Sequence, residues 1–327
     1  NINGLNVLAD PTAVKTNVAF ADTEFANTVK YNGSNQYLGK VYKYSVNYLP
    51  DTGEFEFLRS GGSSSGSYNS FNPATLATPV NNQAVSSATI TESFKYVFEH
   101  TDTFTKLPKF ERMARIKSTQ YAISTDFNEN LAPLSMNFDN KAGWFRPYVT
   151  FENMNLRHGP KVNAITYGSL AGYDGNFVRM KHGWTRLGSG YIGYNGSQLS
   201  YKGVDTSMNG GLLGLTETFY KGNFWTSLTL SAGASVGENS TMFGKEDFTT
   251  LLAGIGSKTG YNFEFQEGRY IIQPIWFMSY TFAKTFDYTN AANVRINSDP
   301  THSIQLNPCI RFVVNTKNRW QPYISIG

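Results

Sequence analysis

Residues able to bind a metal or attack a substrate are few and scattered. The histidines are His100, His158, His182 and His302, with no HExxH pair and no second ligand at metal spacing. Each reads as a surface or turn residue. Cys309 has no CxxC or Cys–His company and reads as an inert thiol on the polar face of its strand. The stretch "AGIGSKTG" at 253–260 invites comparison with a phosphate loop, but that motif carries its lysine after the second glycine and a helix behind it. Here Lys258 precedes Gly260 and a strand continues, so the glycines read as room for neighbouring rings or as a bend in a wall. No GxSxG elbow occurs. Asp174, within "GYDG" at 172–175, reads as a hairpin-turn residue. The expectation is a chain with no metal, no cofactor and no catalytic residue.

The polar residues that do form a pattern lie on alternating strands. Arg146, Tyr148, Thr150 and Glu152 share one parity in "GWFRPYVTFENM". At 304–314, Ile304, Leu306, Ile310, Phe312 and Val314 share one face, while Gln305, Asn307 and Arg311 share the other with Cys309. At 228–235, Leu228, Leu230, Ala232 and Ala234 oppose Thr229, Ser231, Gly233 and Ser235. Such alternation belongs to a soluble sandwich with one wet face or to a transmembrane barrel whose apolar residues face lipid and whose small polar residues face the lumen.

Composition favours the barrel. Of 327 residues only 16% are charged, against about 25% in a typical soluble domain. Polarity comes from Asn, Ser, Thr and Gly, and aromatics reach 15%. Rings cluster near strand ends at Trp144, Trp184, Tyr191, Tyr194, Phe224, Trp225 and Trp320, as expected of girdles at the membrane interfaces. The stretch "IIQPIWFMSYTFAKTFDY" at 271–288 is too polar for a membrane helix but long enough to cross a bilayer as a tilted strand and continue beyond it. A net charge of +4 gives no electrostatic case for nucleic acid.

These strands need organising elements. Residues 1–60 read as short strands, with a hairpin turn at Pro50-Asp51-Thr52-Gly53. "SGGSSSGSYNS" at 60–70 is a linker too poor in apolar residues to build a core. In the following segment Ile90, Phe94, Val97 and Phe98 fall at i, i+4, i+7 and i+8, which predicts a helix near 81–105; "LPKFERMARIKSTQYA" is a second helical candidate. From Trp144 onward strands and turns alternate without interruption, which argues against a parallel βαβ architecture. The expected domains are 1–60, 61–125 and 126–327.

At this point the chain resembles the C-terminal translocator of type V autotransporters. The likeness is carried by "FNPATLATPV" at 71–80, "WFRPYVTFENMNLRHGPKVNAITYGSLAGYDG" at 144–175 and "GYIGYNGS" at 190–197. It continues in "GKEDFTTLLAGIGSKTGYNFE" at 244–264 and the 271–288 stretch. The resemblance implies a mainly β fold: an antiparallel, up-and-down outer-membrane barrel, 12-stranded in the family, with a linker α-helix threaded through its lumen. Residues 1–60 would close a passenger, commonly a β-solenoid. Only about nine barrel strands are readable against about twelve in the family, which would leave the barrel unclosed, and an open edge in lipid is not viable. The chain also begins at Asn1 and ends at Gly327 rather than on the aromatic that closes the family's last strand. An internal piece of a longer precursor, with its last strands missing, is therefore expected.

The resemblance further implies a function without reaction chemistry: anchoring a passenger in the bacterial outer membrane and helping it reach the cell surface. Its partners would be the outer-membrane lipid bilayer, the barrel-assembly machinery and the chain's own N-terminal passenger. Lumen-facing residues meeting the helix would be Arg146, Glu152, Gln305, Asn307 and Arg311. Some family members release the passenger by cyclisation of a helix asparagine aided by a lumenal acid. Asn81 and Asn82 lie where such a residue would sit, but the motif for that reaction is not recognisable. Two other readings stay open. A secreted or surface-attached β-rich adhesin would bury its apolar strand faces in a dry core with the helix against it. An outer-membrane barrel enzyme would need clustered acids, His or Ser at one rim.

Overall fold

The computed structural model describes residues 15–19, 36–39, 41–60, 72, 75, 78–109, 112, 143–155, 161–316 and 321–327. The 60–70 linker beyond Ser60, nearly all of the second helical candidate, His158 and Trp320 lie outside them.

Four short strands come first: β1 (Lys15–Ala19), β2 (Gln36–Leu38), β3 (Lys43–Leu49) and β4 (Glu54–Arg59). They form one sheet in the order β1-β4-β3-β2, antiparallel at every step, whereas the coils of a β-solenoid stack in parallel. The β3–β4 turn is the one expected at 50–53. Gly53 takes φ 68, a left-handed conformation open to a residue without Cβ, and its N–H donates to Leu49 O at 2.9 Å. Tyr44, Val46, Phe55 and Phe57 form a small core on one face.

Helix α1 (Thr78–Thr105) follows. Its 28 residues contain no glycine and no proline beyond Pro79 in the first turn, where a missing N–H costs nothing. At 1.5 Å per residue it is about 42 Å long, more than the hydrocarbon thickness of a bilayer. Eighteen of its residues are buried and twelve of those are polar, so its surroundings accept polar side chains as well as apolar ones. Several hydroxyls are satisfied by the helix itself: Thr89 donates to Val85 O and Ser93 to Thr89 O, both at 2.9 Å.

The wall is a ten-stranded antiparallel sheet. Its strands are β5 (Gly143–Asn155), β6 (Lys161–Arg179), β7 (Thr185–Tyr201), β8 (Val204–Lys221), β9 (Phe224–Thr241) and β10 (Gly244–Tyr261). The short β11 (Phe263–Phe265), then β12 (Tyr270–Thr285), β15 (Thr301–Val314) and β16 (Tyr323–Ile326) complete it. Between β12 and β15 a loop carries the two-stranded β13 (Tyr288–Thr289) and β14 (Arg295–Ile296). Each main strand pairs with the next in sequence. Two-residue reversals make this possible: Lys202-Gly203 joins Tyr201 to its partner Val204, and both turn residues have positive φ, the geometry that matches strand twist.

The sheet curls around α1, which packs on β6, β8, β9, β10, β12 and β15. Its two faces are the reverse of a soluble protein's. On β9 the outward Leu228, Leu230 and Val236 are exposed by 44%, 61% and 60%, while the inward Thr229, Ser231 and Ser235 are buried. Leu213, Leu215, Ile304, Leu306 and Ile310 continue the exposed apolar belt. An apolar surface of this extent is untenable in water and suited to lipid. This arrangement is opposite to the dry core that the adhesin reading requires.

Candidate functional site: the helix-filled lumen

The lumen holds the helix by packing along its length and by polar locks at both ends. Midway, Ile90, Phe94 and Phe98 meet Leu252, Phe277 and Ala283, with the Phe98 and Phe277 rings edge to face at 6.0 Å. Space for Phe94 comes from the wall. A Cβ on Gly256 would stand 2.9 Å from Phe94 Cδ2, and one on Gly254 would stand 3.0 Å from Phe94 Cζ. The glycines of "AGIGSKTG" therefore make room for a ring, as their sequence context suggested.

The C-terminal lock centres on Asp102. Its Oδ2 accepts from Lys258 Nζ of β10 at 2.7 Å and from Arg311 Nη2 of β15 at 2.6 Å; its Oδ1 accepts from Thr105 Oγ1 at 3.1 Å. One carboxylate faces two cations, and the remaining positive charge lies at the carbonyl end of the helix, where the helix dipole favours it. The last-turn carbonyl of Thr105 has no partner within the helix. The wall supplies two: Asn262 Nδ2 at 2.9 Å and Gln273 Nε2 at 2.7 Å. Trp225 Nε1 holds Asn262 Oδ1 at 3.0 Å.

A second lock involves residues that sequence reasoning dispersed. His100 Nε2 lies 2.6 Å from Asp174 Oδ2, and Asp174 Oδ1 accepts from Ser189 Oγ at 2.7 Å and Trp144 Nε1 at 3.1 Å. The His100 ring stacks on Trp144 at 4.7 Å. Two expectations are corrected here. Asp174 is not a turn residue but a buried one on β6, where the register shifts between Asp174 and Phe177. His100 is a helix-to-wall contact rather than a surface residue. A third correction concerns the rings: Trp144, Tyr191 and Trp225 point into the lumen instead of joining an interface girdle. Tyr194 is 48% exposed on the outer face. His182 does sit in an exposed turn, at φ 60.

At the N-terminal end, Gln83 bridges to the loop and to β15. Its Nε2 donates to Ser298 Oγ at 2.9 Å, and its Oε1 accepts from Thr301 Oγ1 at 2.6 Å. Asn82 Nδ2 donates to Asn239 Oδ1 at 3.1 Å, and Asn239 Nδ2 donates to Glu246 Oε1 at 3.0 Å. The amide of Asn81 is buried with no partner among the described residues.

The five residues expected to face the lumen all carry inward parity. Arg311 makes the Asp102 contact already described. Arg146 Nη1 stands 3.5 Å from Glu99 Oε2 of the helix. Glu152 lies opposite Glu92 and Lys95. Gln305 and Asn307 are half-buried on the Arg311 face, paired in the ladder with Ser279 and Phe277, and neither hydrogen-bonds the helix among the described residues. Asp102, Lys258, His100 and Asp174 were missed. Their helix-to-wall partners are 74 to 209 residues away, and only the inward parity of Lys258 was visible locally. No group of three or more metal-ligating side chains occurs among the described residues.

The arrangement is a helix-filled wall with an apolar outer face. The profile of the family "Autotransporter beta-domain" matches residues 143–327, which begin at β5. A search of curated protein sequences returns no match to the chain. Among solved structures, the beta domain of the Bordetella autotransporter BrkA is 16% identical, with a TM-score of 0.46, over 56% of this chain and 75% of its own. The transport unit of AIDA-I from Escherichia coli is 14% identical, with a TM-score of 0.45, over 64% and 76% respectively. The translocator domain of NalP from Neisseria meningitidis is 13% identical, with a TM-score of 0.40, over 62% and 71%. With more than half of its length matched by that profile, the chain belongs to the autotransporter beta-domain family of outer-membrane type V secretion.

Proposed function

We propose that the chain anchors itself in the outer membrane and carries its N-terminal segment to the cell surface through the lumen that α1 now fills. The observation that supports this most is the helix itself. A 28-residue segment with twelve buried polar side chains sits inside a wall whose outer face is an exposed apolar belt, and whose inner face meets it with both polar and apolar side chains. A segment that had merely docked would bury its apolar stripe and leave its polar side wet.

The proposed partners are the outer-membrane bilayer, meeting the exposed belt, the barrel-assembly machinery that inserts such walls, and the chain's own N-terminal part. No reaction is assigned to the chain. The free energy for export would come from assembly of the wall and folding of the exported segment.

The test places an epitope tag ahead of Lys15 in the gene expressed in an outer-membrane host. Protease is added to intact cells. Loss of the tag, with a protected, heat-modifiable fragment left in the outer membrane, is the expected result. A tag that survives on protein in a soluble fraction would return the chain to the adhesin reading.

A further inference from the structure

The outer face of the wall changes character in register across six strands. One lower row is apolar or small throughout: Phe145, Ala171, Ile192, Leu213, Ala232 and Ala253 are successive partners from β5 to β10. Toward the rim at which α1 begins, the row Phe151–Ile165–Gln198–Ser207–Glu238–Asp247 turns polar from β7 on. The row above it, Asn153–Asn163–Ser200–Asp205–Ser240–Lys245, is polar throughout. Two residues of strand separate successive rows on one face, about 7 Å. The two upper rows line an open groove of about 750 Å³ running from β5 to β9.

We propose that this groove is a saccharide site, and that its occupant is the sugar headgroup of the outer-leaflet glycolipid. The inference rests on the export reading above, which makes the rim of the α1 N-terminus the cell-surface side. Three observations point to sugar. The groove lies on the rim side of the apolar belt, with the exposed Val149 and Val236 in the row next below it, so whatever fills it stands above the acyl layer. Its polar groups are amides, hydroxyls and carboxylates, the set that pairs with a dense array of hydroxyls. Phe151, exposed by 76% at one end, offers an aromatic ring to a sugar's C–H surface.

The charge argues against a phosphate as the recognised group. The two rows hold Asp205, Glu238 and Asp247 against one cation, Lys245, whose Nζ is already 2.8 Å from Glu238 Oε1. An extended peptide is a poor fit too, because the backbone groups of β6 to β9 are spent on pairing with both neighbours.

The test uses the full chain purified in detergent. The probe is core oligosaccharide from the host glycolipid, deacylated and dephosphorylated, titrated by calorimetry. Binding is expected, roughly tenfold weaker for Phe151→Ala, which corresponds to the loss of one aromatic contact. It is expected to be unchanged for Lys181→Ala at the opposite rim. Circular dichroism confirms that each variant keeps its sheet, and Gln198→Ala serves as a second groove variant if Phe151→Ala does not fold. No binding, or equal binding by the groove variants, overturns the proposal. So does binding only to the phosphorylated form with a divalent cation, which would assign the carboxylates to cation bridging. Failure of the export reading is told apart by Ser240→Cys in a Cys309→Ser background. Labelling of that cysteine on intact cells by an impermeant maleimide upholds the orientation whatever the sugar result.

Discussion

Asp102 of α1 and Arg311 of β15 meet Oδ2 to Nη2 at 2.6 Å, across 209 residues of chain, with both side chains buried. Lys258 shares the same oxygen. Removing one partner of a buried pair leaves uncompensated charge and costs about 3–5 kcal/mol. Asp102→Ala strands two cations and is expected to cost that much, read as a lower denaturation midpoint of the detergent-purified protein. Arg311→Met leaves Lys258 still paired and is expected to cost less. Equal losses from the two substitutions would mean that Lys258 does not share the load.

Phe94 depends on the absence of a side chain at Gly256. A Cβ there lies 2.9 Å from the ring, and overpacking of this kind costs about 1–3 kcal/mol. Gly256→Val should destabilise the protein by that amount, and Phe94→Leu in the same chain should recover part of it, the approach to Thr229 Cγ2 at 3.0 Å remaining. Additive losses in a double-mutant cycle would show that the two positions do not touch.

The outer belt separates a membrane wall from a soluble sheet. Arginine on the lipid face near mid-membrane costs about 2–4 kcal/mol. Leu230→Arg is therefore expected to lower the yield of heat-modifiable protein in the outer membrane sharply. The neighbouring inward change Ser231→Ala should leave that yield near normal. A soluble β-protein would tolerate Leu230→Arg, or gain solubility from it.

The first sheet has its own pH response. Lys15 and Asn47 hydrogen-bond the Glu56 carboxylate and hold it below the usual carboxylate range. A depressed folded pKa adds stability that is present above the ordinary value of about 4.3 and fades as pH falls through the folded one. Amide protection of β1, which pairs with β4 through Asn17 and Glu56, should fall below about pH 4. Glu56→Gln should remove that dependence.

Much of this architecture was legible because strand parity is a local property. Leu228 to Ser235 and Ile304 to Val314 announced their two faces, and the Ile90–Phe98 spacing announced the helix. The orientation of Trp225 was legible as well, since it shares parity with Ser227, Thr229 and Ser231, although its place at a strand end also suits a girdle. The partners of Asp102 and His100 were not legible. Which wall residue meets which helix residue depends on the curl and on where the helix stops along its axis, and neither leaves a mark within a few residues of sequence. Asp174 misled because flanking glycines suit a bulge inside a strand as well as a turn.

The most direct test links the helix to the wall during surface exposure. Gln83→Cys and Thr301→Cys, at side chains now 2.6 Å apart, are combined with Cys309→Ser. Intact cells are treated with a short bis-maleimide and then with protease. The expected result is loss of a tag placed ahead of Lys15, together with a protected membrane fragment in which helix and wall remain covalently joined. A surviving tag and an unlinked helix would contradict passage of the chain through its own lumen.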